Sequence, residues 1–352
     1  MLTKIKFPSK RLMLVLLLTL SSVILLEASD FPKNSSFLFS LLSIFIGFLI
    51  AGLFFIPSAV IKSKTDLGFI SYANKKTPSA VIFVSAFYCI YFVYTAEYFL
   101  LKYSDMFSKR INSEANIYAV ALILLAVAVY AACKGANAIA RCSIFIFAFS
   151  IVAFVVIFSG NISNLEINAS DFSFSGNKSD FVNTTSFFVT PAFIAVFFSV
   201  LSGSIKNFHS KHIVITLIIG AVLFGLFLFF AVFALGSYAH AQEYSAFLLS
   251  KTAHFESIGG LDSFFLSSSL LSVFLVISLA LVCICRCTSK SGSLPFAGVF
   301  ALLIFILFIS AYSFDGVKKL LTDAFVFNVL TFICAVVIPV FYIVFGRRRL
   351  NV

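Results

Sequence analysis

Charge is what this 352-residue sequence lacks most: only 11% of its residues are Asp, Glu, Lys or Arg, against the roughly 25% of a soluble domain. With 61% hydrophobic residues and a mean hydropathy of +1.10, that scarcity excludes an ordinary soluble fold and points to an integral membrane protein. Tryptophan is absent, and the 48 phenylalanines supply apolar bulk without identifying a ligand. The seven cysteines have no zinc-type spacing, which argues against a metal centre or a disulfide framework. Cys283, Cys285 and Cys287 are read as packing residues, with acylation or metal binding as the alternatives. There is no phosphate-binding loop, dinucleotide fingerprint or nucleophile-base-acid set, so nothing supports an enzyme or a bound cofactor. The net charge of +11 comes from cations scattered between apolar runs, not from a basic face, so nucleic acid is not an expected partner.

What is present is a series of apolar runs long enough to cross a bilayer. The first, Leu12 to Ser29, follows Lys4, Lys6, Lys10 and Arg11 and resembles a signal peptide, but no clear cleavage site follows it and it is expected to be retained. The others cover about 37–61, 79–101, 115–133, 139–160, 186–203, 212–238, 262–286, 294–313 and 323–345, which makes ten. All are expected to be helices, because lipid offers no partner to unpaired backbone groups. Alternate connections divide the Lys and Arg residues 17 to 8, and the richer side includes both ends of the chain. By the positive-inside rule both termini are then cytoplasmic. Lys62 and Lys64 are counted there as loop residues, as are His209 and His212, expected to be solvated.

One membrane domain, 1–352, is expected. A polar loop at about 161–185 separates a first repeat, about 12–160, from a second, about 186–345. Its triplets at Asn161, Asn168, Asn177 and Asn183 match the glycosylation sequon, a pattern that chance readily produces in such a loop. Five spans per half is an odd number, so the halves must be inverted relative to each other, the arrangement of five-plus-five transporters. Such folds bind substrate where the first helix of each half is interrupted. In the first half the candidate is Thr19-Leu20-Ser21-Ser22, whose hydroxyls compete for backbone bonds. In the second half it is Thr190-Pro191, with Ser199, Ser202 and Gly203 beyond, where proline removes a donor. The alternative is that these hydroxyls only pack helices together. Glu97 is the one carboxylate well inside an apolar run, and it is a candidate for ligand binding or proton coupling. It is expected about one turn from the end of its helix near Lys102, within reach of water.

The tightest connection carries the most specific motif. Tyr130-Ala-Ala-Cys-Lys134-Gly135-Ala-Asn-Ala-Ile139-Ala140-Arg141 resembles the K-G-x-x-x-I-A-R signature after the fourth helix of the spore germination permease family, the B subunits of nutrient germinant receptors. Weaker likenesses are Ala96-Glu97-Tyr98 and the segment from Glu243 to Asp262. The resemblance implies an all-α, ten-helix, LeuT-like fold of the amino acid/polyamine/organocation superfamily. It also implies a small amino acid or similar germinant as ligand, and an A-type membrane subunit and a C-type lipoprotein as partners in the spore inner membrane. Active transport of amino acids, or a non-binding scaffold, are the alternative roles. The chain departs from the family's glycines in the first helix, where it has Ser21, Ser22 and Val23. It departs again at a Gly-Phe-Glu-like element in the sixth, where it has Phe193-Ile194-Ala195-Val196, and near Ser245, where a proline is common. These departures bear on ligand binding more than on fold.

Overall fold

A computed structural model describes residues 7–27, 36–110, 116–167, 178–206, 208–236, 244–255, 261–288 and 293–345. Ten helices among them are long and apolar enough to cross a membrane. They run Ser9–Leu26, Phe37–Thr65, Val81–Arg110, Ile117–Lys134, Ala136–Asn164, Thr184–Ser204, Lys211–Leu235, Asp262–Cys287, Leu294–Ser313 and Ala324–Phe345, and are called the first to tenth spans below. An even number leaves the two ends of the bundle chain on one side. That side is called the N-terminal side. The five-and-five division about the long connection fits an inverted repeat.

Burial sorts the spans into an inner and an outer set. In the first and eighth spans 83% of the most apolar window is buried and in the sixth 78%, against 28% in the fourth, ninth and tenth. The eighth packs on the third, fourth, first and fifth, while the first also meets the seventh. The outer spans present Ile, Val, Leu and Phe outward, as a lipid-facing surface requires. The first span is thus a core helix of the bundle.

Local sequence accounts for the irregular places. Gly135 joins the fourth and fifth spans at φ +84°, with nothing within 4 Å of a Cβ placed there, so backbone conformation and not crowding selects glycine. Lys134 and Arg141 flank it, both exposed. In the sixth span the helix Lys178–Phe187 gives way to a 3-10 turn at Thr190–Ala192 before Phe193–Leu201 resumes. Pro191 has no N–H to continue the ladder, and Ala192 bonds instead to the Val189 carbonyl at 2.8 Å. The tenth span contains a π-helical turn, Ile333–Val337, where the Tyr88 hydroxyl donates to the Cys334 carbonyl at 2.5 Å.

Three expectations are corrected. The first span is not interrupted at Thr19–Ser22 but is continuous from Ser9 to Glu27, because its hydroxyls bond back to carbonyls three residues earlier without replacing the ladder. The third span does not end near Lys102 but continues to Arg110, so Glu97 lies about 20 Å from the helix end and is 0% exposed. Lys62 is not a solvated loop cation: its side chain is 0% exposed and its ammonium pairs with the Asp66 carboxylate. The Asn161 sequon is the chance match it was expected to be, for Asn161 is buried with its amide donating to the Ile157 and Leu249 carbonyls, both at 2.8 Å. Asn168 and Asn177 lie outside the described residues.

Candidate ligand site at the break in the sixth span

The break is seated on the second span. A Cβ built on Gly47 would lie 2.5 Å from the Cβ of Phe188 and 2.7 Å from its carbonyl carbon, so only glycine lets the two backbones come this close. Just past Phe188, Thr190 is fully buried, and its hydroxyl has no hydrogen-bond partner among the described residues. Pro191 beside it is buried as well. An orphaned buried hydroxyl at a helix break is the arrangement that a polar ligand atom or a water would complete.

The other predicted residues are placed differently. Ser199 donates to the Val196 carbonyl at 2.7 Å and Ser202 to the Ser199 carbonyl at 3.0 Å, so both protons are used within the helix. Thr19 and Ser22 likewise donate to Leu16 and Thr19 carbonyls at 2.8 and 2.6 Å. Ser21 is the exception, because its Oγ also lies 2.9 Å from Ser272 Oγ on the eighth span. Ser272 donates to the Ser268 carbonyl, and the Ser268 hydroxyl donates to Ser150 Oγ at 3.2 Å on the fifth span. A seam of hydroxyls therefore joins the first, eighth and fifth spans. Sequence reasoning stopped at Ser21 and Ser22. The signal for the rest was the 267–269 serine run with Ser272, spaced to fall on one helix face.

Glu97 does not join this group. Both its oxygens are buried without a partner among the described residues. Phe92 and Phe99 of the same helix face the sixth span, meeting Phe197 and Phe193 at ring separations of 5.1 and 5.2 Å. At about 100° per residue Glu97 lies roughly 140–160° around the helix from them. Cys89 Sγ lies 4.0 Å from the Ile284 carbonyl across the antiparallel third and eighth spans. Counting about 12 Å along the third span and about 9 Å along the eighth from there brings Glu97 to within about one turn in height of Ser278, whose buried hydroxyl is also unpartnered among the described residues. Glu97 thus belongs to the side of the third span away from the sixth.

Aromatic rings fill the space between the third, sixth and tenth spans. Phe327 stacks on Tyr98 at 4.5 Å and lies 6.0 Å from Phe193. Tyr91 shares a 3.0 Å hydrogen bond with Thr331. Both ends of the bundle are tied. On the N-terminal side β1 (Phe7–Pro8) pairs in parallel with β2 (Ile205–Lys206), Lys62 donates to the Ile205 carbonyl at 3.2 Å, and Arg286 donates to Ser204 Oγ at 2.7 Å. Ser9 Oγ and His212 Nδ1 are 2.8 Å apart, so His212 is engaged there. His209 is exposed. On the opposite side Asn161 bonds Thr252 at 3.0 Å, and Lys318 pairs with Asp105 at 2.6 Å. Among the described residues no cluster of three His, Cys, Asp or Glu could hold a metal ion, and Cys283, Cys285 and Cys287 are buried free thiols.

A family model described as spore germination protein matches residues 8–309. No curated protein matches the sequence at a significant level. A solved structure of a sodium-coupled sialic acid symporter, in a substrate-bound outward-open state, is similar with a TM-score of 0.62 over 94% of this chain and 79% of that one. At 13% identity the likeness is one of fold.

Proposed function

The chain belongs to the spore germination protein family, and from that premise we propose that it is the permease-like, nutrient-sensing subunit of a spore germinant receptor. The ligand is a small amino acid or a similar germinant, bound near the middle of the membrane. The observation that carries this reading is the break at Thr190–Ala192, with its buried, unpartnered hydroxyl held against Gly47. A ligand that satisfies Thr190 in one packing of the sixth span and not in another shifts the population between the two. The ties at both ends of the bundle are the contacts such a shift would exchange.

Sensing is preferred to active transport because only one of the two first-of-half helices is interrupted. The symporter's fold is shared, but fold does not carry its coupling chemistry. The 17-to-8 division of cations supports cytoplasmic termini. Such a subunit would work in the spore inner membrane beside an A-type membrane subunit and a C-type lipoprotein. A scaffold that binds nothing is the second reading, favoured by the continuous first span.

The test is ligand-dependent thermal stabilisation of the purified chain against a panel of amino acids, alongside uptake in proteoliposomes and germination of spores carrying Pro191→Leu. Stabilisation without concentrative uptake, and loss of germination in a variant that still inserts, support the sensor. Concentrative uptake overturns it in favour of transport. No stabilisation by any ligand, with normal germination of Pro191→Leu, overturns it in favour of the scaffold.

A further inference from the structure

A cleft of about 530 Å³ opens on the N-terminal side of the bundle, away from the Thr190 site. One wall is Ile56, Ala59, Val60 and Ser63, a stripe at i, i+3, i+4 and i+7 on the last turns of the second span. The other is Phe208 to Lys211, where the chain enters the seventh span. Ser63, His209, Ser210 and Lys211 are exposed and Ile56 is 52% exposed, so the cleft faces outward and not into the bundle. It lies where two spans end, which is the depth of lipid headgroups.

Its chemistry has two parts. Toward the bundle end it is basic and polar: the Lys211 ammonium and the His209 ring line it, Lys64 follows Ser63, and Lys10 follows Ser9, which is bonded to His212. Among the described residues no carboxylate lines the cleft, and Asp66, the acid nearest in sequence, is paired with Lys62. The first turn of a 25-residue helix adds its N-terminal partial positive charge. Toward the membrane interior the same two spans are apolar and exposed, at Leu49, Leu53 and Ile56 on the second and at Ile215, Ile218 and Val222 on the seventh. These spans pack side by side, with Leu217 3.4 Å from a Cβ built on Gly52. An occupant must be an amphiphile with an anionic head and an apolar body.

We propose that this cleft is a headgroup site for an anionic phospholipid, with the phosphate against Lys211 and His209 and the acyl chains along the exposed faces of the second and seventh spans. A soluble anion would gain nothing from the apolar faces. A membrane helix from a protein partner would gain nothing from the basic end of the cleft. Only a charged lipid uses both, and basic pockets between spans at headgroup depth suit such lipids. Because the first span is anchored to the same rim by Ser9 and His212, an occupied cleft would also brace the N-terminal side of the bundle.

The experiment titrates the full chain, purified in a neutral detergent, with phosphatidylglycerol, phosphatidylcholine or inorganic phosphate, and reads retained lipid by native mass spectrometry and the unfolding midpoint. Phosphatidylglycerol is expected to be retained in preference to phosphatidylcholine and to raise the midpoint. Lys211→Ala should lower that preference about fivefold, the ratio corresponding to one basic residue at a charged membrane surface. Ser63→Trp, at an exposed position that fills the cleft, should lower it without altering the lipid-free midpoint, and it carries the test if Lys211→Ala fails to fold. Equal retention of the two lipids, or an unchanged preference in both variants, overturns the proposal. Displacement of phosphatidylglycerol by inorganic phosphate reassigns the cleft to a free anion, and capture of protein instead of lipid by a photocrosslinker at Ile56 reassigns it to a partner. Either result also overturns the proposal.

Discussion

Ser21 on the first span and Ser272 on the eighth lie 2.9 Å apart, although each hydroxyl also bonds a carbonyl of its own helix, Leu18 at 2.7 Å and Ser268 at 2.9 Å. Two protons serve three contacts, since each hydroxyl has one to donate. At any moment one of the three is unmade, so the link between the spans is weaker than its geometry suggests. A double-mutant cycle of Ser21→Ala and Ser272→Ala should therefore give a coupling near about 0.6 kcal/mol, the average for hydroxyl bonds between membrane helices. Unfolding in mixed micelles measures it. A coupling above about 1.7 kcal/mol would mean a partner, such as a bound ion or water, that organises both hydroxyls.

Gly47 and Gly298 sit in apolar helices and should respond to alanine in opposite ways. At Gly47 the new methyl meets Phe188 at 2.5 Å, and the nearest atoms include backbone, which cannot swing aside. Gly47→Ala should destabilise by about 1–3 kcal/mol and displace the break in the sixth span. At Gly298 nothing lies within 4 Å, so Gly298→Ala should stabilise by up to about 1 kcal/mol. Thermal unfolding of the two variants side by side decides the matter, and the same sign for both would show that crowding at Phe188 is not what selects glycine.

The ten spans were legible because bilayer thickness imposes length and apolarity on each segment independently, so no tertiary knowledge was needed to find them. The sixth-span break was legible for a similar reason, since a proline cannot hide its missing donor. The first-span break was misjudged because a serine that loosens a helix and a serine that bonds back to its own ladder are identical in sequence. Glu97 was placed near water because the apolar run fades after Leu101, whereas the helix continues through Lys102, Tyr103 and Ser104 to Arg110. Gly47 and Ser150 were invisible as site residues because each acquires its role from a residue more than a hundred positions away.

Lys62 ties the end of the second span to the strand that follows the sixth. Its ammonium is buried, pairs with Asp66, and donates to the Ile205 carbonyl at 3.2 Å. Lys62→Met keeps the buried stem but leaves that carbonyl without its side-chain donor and removes the partner of Asp66, whose side chain is 68% exposed and can turn to water. The expected loss is about 1–3 kcal/mol, the cost of an unsatisfied buried polar group. Hydrogen exchange should show the loosening at Ile205 and Lys206 before it shows elsewhere. Unchanged protection there would mean that the Phe7–Pro8 pairing holds this strand without Lys62.

Glu97 offers the sharpest division between sensing and transport. It is the one fully buried carboxylate among the described residues, and neither oxygen has a partner among them. A polar group in that position costs stability, so replacing it with an apolar residue of similar size should leave the protein as stable or more so, by up to about 1–3 kcal/mol in Glu97→Leu. A drop in stability would instead reveal a partner that holds the carboxyl in place. If removal stabilises, the carboxyl is kept for what it does and not for what it supports. Proton-coupled uptake then requires it, and Glu97→Gln, which keeps the shape but cannot exchange a proton, should abolish uptake. A sensor whose switch lies at Thr190, on the other side of the third span, should germinate in response to its ligand with Gln at position 97 as it does with Glu. Loss of germination in a stable Glu97→Gln protein would move the ligand-responsive element from the sixth-span break to the interface of the third and eighth spans.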